Sequence, residues 1–243
     1  MTYEFISKTL YHGRECTNFC LNGRDSLVVR PTHPLPGNPV CWRTEFFGAF
    51  DCVDVEMLKR GWHLCYHRVS DMYGCDESLV MMHEYHDFVC QTFGLNSQAV
   101  LFGFSRGGLY AVNYAAKYPD RVSGLYLDAP VCDIRSWPCA NLECREAKEC
   151  LEWYHLTPET LKTFNKNPID KVAEVVRIPT IIVAGDSDRV VPYINNGQVF
   201  ADRFKALGGK IATIVKPGCD HHPHSLDNPV PVADFIEDNC NNA

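Results

Sequence analysis

The chain has 243 residues, with 30 acidic and 23 basic side chains and a formal net charge of −7. Hydrophobic residues make up 46% and charged residues 22%. That is the balance of a globular chain burying roughly 70–75% of its unfolded surface, which excludes a disordered or collagen-like one. An acidic chain without a basic tract argues against a nucleic-acid partner, and no apolar run approaches the ~18 residues of a membrane span.

In chain order, Met1 to Asn18 is polar and lacks the apolar core of an export signal, so a cytoplasmic protein is expected. Asp25 to Pro31 reads as a strand, followed by a Pro/Gly-rich loop and a short strand from Pro39 to Arg43. Asp51 to Arg60 is helical and stops at Gly61, and Trp62 to Val69 is β-rich. Ser78 to Phe93 is a helix, with Met81, Tyr85, Phe88 and Val89 on one face. Gln98 to Phe102 is a strand running into GFSRGG, and Leu109 to Lys117 is a helix. Strands follow at Val122–Leu127, Thr180–Ala184 and Ile211–Val215, with a helix face of Phe200, Phe204 and Leu207 between the last two. Val232 to Asp238 closes the chain as a helix.

Short apolar strands between amphipathic helices imply an α/β fold: a mostly parallel sheet with helices on both faces. One domain over 1–243 is expected, with the strand-free stretch 131–171 as a small helical lid at the C-terminal edge of the sheet. The 13 cysteines include a crowded group, Cys132, Cys139, Cys144 and Cys150, and the near pair Cys16 and Cys20. None forms a paired C-x-x-C, so free thiols are expected, with no metal and no cofactor.

Chemistry concentrates at Gly103-Phe104-Ser105-Arg106-Gly107-Gly108, a G-x-S-x-G string between a strand and a helix. Such a turn lifts the serine hydroxyl above the sheet, and the flanking glycines admit the close backbone packing it needs. The amides at the start of the following helix suit an oxyanion, which makes the Arg106 N–H a candidate donor. A serine nucleophile needs a base oriented by a third group. GDSDRVVP follows one apolar strand and PGCDHHPHSL another, so both loops open on the edge that carries Ser105.

These three ordered motifs resemble the α/β-hydrolase superfamily. WRTEFFG and DAPVCD further resemble a bacterial branch of hydrolases, some acting on carbohydrate esters. The resemblance implies a Ser-acid-His order and a serine hydrolase of the carboxylesterase type acting on a small-molecule ester. Alternatives are a peptidase or amidase of the same fold, or a ligand-binding protein without turnover. In G-x-x-D-x-x-V-P form the acid is Asp188, with Asp186 and Asp128 as alternatives. In G-x-G-H form the base is His221, with Asp220 in place of the second glycine and His222 as the alternative. His224 lies further along that loop. Three histidines in four residues suggest a metal, but adjacent side chains point apart and loop histidines are the expectation. The second oxyanion amide is expected from Arg43 or Thr44. Tyr73 and Trp137 are candidate substrate contacts, with Asp71, Trp153, Tyr154 and His155 nearby in the same regions.

Overall fold

A computed structural model describes residues 1–240, so the last three residues of the expected single domain lie outside the described residues. The chain opens as a meander of β1 (Tyr3–Tyr11), β2 (Arg14–Leu21) and β3 (Arg24–Val29), paired antiparallel. His12-Gly13 and Asn22-Gly23 form the turns, with φ of 48° and 77° and of 51° and 79°. Positive φ at both central residues gives a turn whose twist matches that of the strands, which is why Asn-Gly suits it. No strand is expected before Asp25, and the structure corrects this. β1 is a sheet edge with most side chains exposed, so no buried face marks it by alternation.

β4 (Val40–Arg43), α1 (Cys52–Lys59), β5 (His63–His67), α2 (Asp76–Phe93), β6 (Ala99–Phe104), α3 (Gly107–Lys117) and β7 (Val122–Asp128) follow. The stretch before the next strand carries α4 (Arg145–Trp153), α5 (Pro158–Leu161) and α6 (Val172–Val175). β8 (Thr180–Gly185), α7 (Gly197–Ala206), β9 (Ile211–Lys216) and α8 (Val230–Cys240) complete the described chain. Together the strands form one nine-stranded sheet in the order β1-β2-β3-β5-β4-β6-β7-β8-β9. Pairing is antiparallel up to β3–β5 and parallel from β5 to β9.

Every residue of β6, β7 and β8 is buried, as two-sided helical cover requires. Trp42, Leu101, Leu125 and Ile182 face α2, α3, α6 and α7 through Tyr85, Tyr114, Val175 and Phe200. Their strand neighbours Cys41, Val100, Tyr126 and Val183 face α1 and α8 through Val53, Met57, Val232 and Ile236. Period-two alternation thus feeds two cores from one sheet. Emptying one such site, for instance Ile236→Ala, costs ~2–5 kcal/mol. A third cluster joins Val131, Ile134, Cys150 and Leu161 of the β7–β8 stretch to Tyr73 and Leu109 of the body.

Candidate active site

β6 ends at Phe104 and α3 starts at Gly107, leaving Ser105 in the turn with φ of 50°. That left-handed value is costly for a residue with a Cβ and persists only where the surroundings enforce it. Here the Ser105 N–H donates to Asp128 O at 2.9 Å, and Ser105 O accepts from the amides of Gly108 at 3.0 Å and Val131 at 2.8 Å. A Cβ at Gly103 would lie 2.9 Å from Ala111 Cβ and 3.0 Å from Gly107 O, so only glycine lets β6 and α3 approach this closely.

The loops after β8 and β9 meet at the same edge. A Cβ at Gly185 would lie 2.2 Å from Cys219 O, which shows how tightly the two loops are pressed together. Ser105 Oγ lies 2.9 Å from His221 Nε2, and His221 Nδ1 lies 2.7 Å from Asp188 Oδ2. A carboxylate only accepts, so Nδ1 carries the proton and Nε2 offers its lone pair to the serine hydroxyl. Asp188 Oδ1 accepts from the amides of Val190 at 2.9 Å and Val191 at 2.8 Å, which locks the carboxylate in place. Both side chains are buried. Ser105, His221 and Asp188, from three separated stretches of sequence, are therefore in contact.

The alternative residues lie elsewhere. Asp186 caps its own turn, accepting from Ser187 Oγ at 2.9 Å and from the Gly218 amide at 2.7 Å. Asp128 is buried at the end of β7 and holds a second histidine: His224 Nδ1 lies 2.8 Å from its Oδ1. The Ser225 amide and the Tyr126 hydroxyl both donate to the other carboxylate oxygen, each at 2.8 Å. His222 is exposed and stacks on Phe50, with ring centres 5.4 Å apart. Asp220, standing where a second glycine is expected, accepts from the amides of Arg189 at 2.9 Å and His221 at 2.8 Å. Those two amides and the Arg189 guanidinium pull its carboxyl down to about 2. It ties the histidine loop to the acid loop.

Among the described residues, the backbone N–H groups of Arg106 and Phe46 donate to no acceptor, and both residues sit close to Ser105 in the fold. Arg43 is a correction. It is the last residue of β4, paired with Tyr66 and Phe102, and its side chain is wholly buried in an ion pair with Asp54 over the Phe104 ring. The Thr44 amide already donates to Phe102 O at 3.1 Å. Phe46, two residues further on, lines the pocket instead. A backbone donor leaves no side-chain signature, so sequence reasoning had no signal for it. The Arg106 side chain points away, with Nε 2.7 Å from Glu45 and Nη1 2.8 Å from Asp71.

A pocket of about 170 Å³ opens over Ser105, walled by Phe46, Ala49, Phe50 and Phe104 and by His221, His222 and His224. Tyr73 and Trp137, expected to contact substrate, do not line it. Tyr73 is fully buried, and its hydroxyl donates to Glu149 at 3.0 Å. Burial and that carboxylate push the phenol well above its ordinary range, so it remains a donor. Trp137 packs 6.2 Å from the Tyr73 ring, and both belong to the apolar cluster that fastens the 131–171 stretch to the body. Tyr154 does the same, donating to Tyr73 O at 2.8 Å.

The alpha/beta hydrolase fold family matches residues 59–147. Acylamino-acid-releasing enzyme 1 of Oryza sativa subsp. japonica is 27% identical over 142 residues, covering 55% of this chain and 18% of that relative, so the chain spans under a fifth of its length. An S-formylglutathione hydrolase from Agrobacterium tumefaciens superposes with a TM-score of 0.65 at 17% identity, covering 97% of this chain and 96% of that one. Est1E from Butyrivibrio proteoclasticus superposes with a TM-score of 0.65 at 16% identity, covering 97% and 98%. With its sheet order and its strand–serine–helix turn, the chain has the α/β-hydrolase fold, and residues 59–147 match that family's model.

Proposed function

We propose that the protein is a serine hydrolase that cleaves a small-molecule ester through Ser105, His221 and Asp188. One observation carries this reading: the unbroken contact from Ser105 Oγ through the His221 ring to Asp188, at 2.9 and 2.7 Å. His221 Nε2 takes the serine proton as Oγ attacks the acyl carbon. Asp188 holds the ring tautomer and offsets the imidazolium charge. The amides of Arg106 and Phe46 receive the oxyanion. The protonated ring then delivers its proton to the departing alcohol, and water activated by the same ring releases the acid. The 170 Å³ pocket with four apolar walls suits a short acyl group.

Phe46 also lines a larger cleft of about 680 Å³ with Tyr66, Arg68 and Arg106, which offers polar and aromatic surface for the alcohol part, a sugar among the candidates. The 131–171 stretch, expected as a lid, contributes no wall to the pocket over Ser105 and reaches that residue through the Val131 amide on Ser105 O. A cytoplasmic setting belongs to this reading, since a reducing compartment would keep the thirteen thiols free. No helix among the described residues is long and apolar enough to cross a membrane. A nucleic-acid partner is not part of this reading, given the −7 charge.

The test is Ser105→Ala: hydrolysis of p-nitrophenyl acetate vanishes while circular dichroism is unchanged, and retained turnover defeats the reading. A second reading, amide cleavage, draws on the rice acylamino-acid-releasing relative. Matched ester and aminoacyl-amide probes separate the two. A folded protein that a fluorophosphonate fails to label at Ser105 is instead a ligand-binding protein.

A further inference from the structure

The ester mechanism uses one of three histidines in the pocket wall and leaves a second buried Asp–His pair beside it unexplained. One ring nitrogen from each of His221, His222 and His224 lies within 4.8 Å of the others. Two of these rings are backed by buried carboxylates: Asp188 at 2.7 Å from His221 Nδ1, and Asp128 at 2.8 Å from His224 Nδ1. In both, the carboxylate fixes the proton on Nδ1 and leaves the Nε2 lone pair available. This carboxylate–histidine arrangement is how metal-binding imidazoles are oriented and made more basic. His224 Nε2 has no hydrogen-bond partner among the described residues, although its ring lines the pocket.

We propose that these three histidines form an inhibitory site for a divalent transition-metal ion such as zinc, placed over the proposed base. Three imidazole nitrogen donors suit zinc, whose Zn–N bonds of about 2.0–2.1 Å set ligand nitrogens roughly 3.4 Å apart. Nitrogens that lie within 4.8 Å of one another must draw closer on binding, and His222 is the exposed ring of the three. The carboxylates of Asp188 and Asp128 supply two negative charges behind the site against the two positive charges of the ion. Binding forms a bond from the metal to His221 Nε2 and breaks the contact of that nitrogen with the Ser105 hydroxyl. The serine keeps its proton, no electron is transferred, and the ion and the nucleophile compete for one lone pair.

The binding half of this proposal is independent of the ester reading, and the inhibitory half rests on it. Zinc chloride is titrated by calorimetry into the full chain, into His222→Ala and into Asp128→Asn. One zinc per chain is expected. Its affinity falls about tenfold in Asp128→Asn, the usual effect of losing a carboxylate behind a ligand, and further in His222→Ala. In parallel, zinc stops p-nitrophenyl acetate turnover by the wild type and EDTA restores it. Measured against its own zinc-free rate, whatever that rate is, His222→Ala needs at least tenfold more zinc for half-inhibition than the wild type, by the same reasoning. Absence of binding overturns the proposal, as does binding of equal affinity in all three proteins, which would place the ion on the thiols. Zinc held by the histidines with turnover unaffected overturns the inhibitory half. A chain that binds zinc as described but hydrolyses no ester supports the site and defeats only the ester reading.

Discussion

Two aspartate–histidine pairs stand side by side at one edge of the sheet, nearly identical in geometry and different in neighbours. Asp188 and His221 are 2.7 Å apart, and Asp128 and His224 are 2.8 Å apart, all four buried. The free nitrogen of His221 meets the Ser105 hydroxyl. The ring of His224 instead packs against Phe104 and Phe50, with centres 5.7 and 5.2 Å away. Asp188 is held by backbone amides of its own loop, whereas Asp128 also holds Ser225 and Tyr126, tying the β9 loop to β7. An Asp–His pair is thus not a function in itself. What lies at the far nitrogen decides between proton transfer and fastening a loop.

The largest effect is expected where the pair touches the nucleophile. Asp188→Asn lowers kcat about 10⁴-fold, because the amide can stabilise the wrong imidazole tautomer and leave the serine without a base. Steady-state kinetics on a short acyl ester checks this. If Asp128→Asn causes the larger loss, the roles of the two pairs are exchanged.

Histidines buried without a carboxylate sharpen the contrast. His67 meets only Ser26 at 2.8 Å, and His86 meets Tyr114 at 2.9 Å. Burial is the main cause lowering His63 to about 4, His67 to about 3 and His86 to about 3, from an ordinary 6.5. A histidine depressed in the fold is neutral there and protonated when unfolded. Its stabilising effect is complete above about pH 6.5 and is lost as pH falls towards the folded value. Each contributes at most ~1.4 kcal/mol per pH unit in that window, so the three together set an upper limit of roughly 4 kcal/mol per unit, approached only towards its acid end. Urea melts between neutral pH and about pH 4.5 measure the slope, and His86→Gln removes one third of it. A flat profile would mean that these rings are solvated.

Next in size is the second pair. Asp128→Asn leaves one of three buried donors facing an amide NH₂, at a cost of about 1–3 kcal/mol in stability. Its kcat stays within about tenfold of wild type, because the loss is of packing around the base and not of the base. Denaturant midpoints and kcat measured on the same preparation separate the two effects.

What the sequence made legible follows from how local each signal is. β6 to β8 show themselves because strands buried on both faces are apolar at nearly every position, the buried Ser123, Asp128 and Thr180 excepted. β1 hides because an exposed edge imposes no pattern, although Asn22-Gly23 marks the second hairpin plainly. Ser105 is announced by its own turn, and Asp188 and His221 by the strands they follow. Asp128 and His224 are 96 residues apart, and nothing near either predicts the other. Arg43 at a strand end looks like a surface charge, and only its burial against Asp54, 11 residues on, explains why it never reaches the site.

The smallest effect tests which neighbouring histidine is the base. His222 is exposed and stacks on Phe50, and the hydrogen bond with Ser105 is made by His221 instead. His222→Ala therefore shifts stability by no more than about 0.5 kcal/mol, the range of exposed substitutions. It leaves kcat within a factor of about three, since a residue outside the reacting contact offers the transition state little to lose. His221→Ala in the same assay removes turnover altogether. The two side chains are neighbours in sequence and their rings lie 5.0 Å apart, so loop disturbance is shared and the difference between the variants isolates proton transfer. If both variants are inactive, the loop acts as a unit and the comparison of single rings fails.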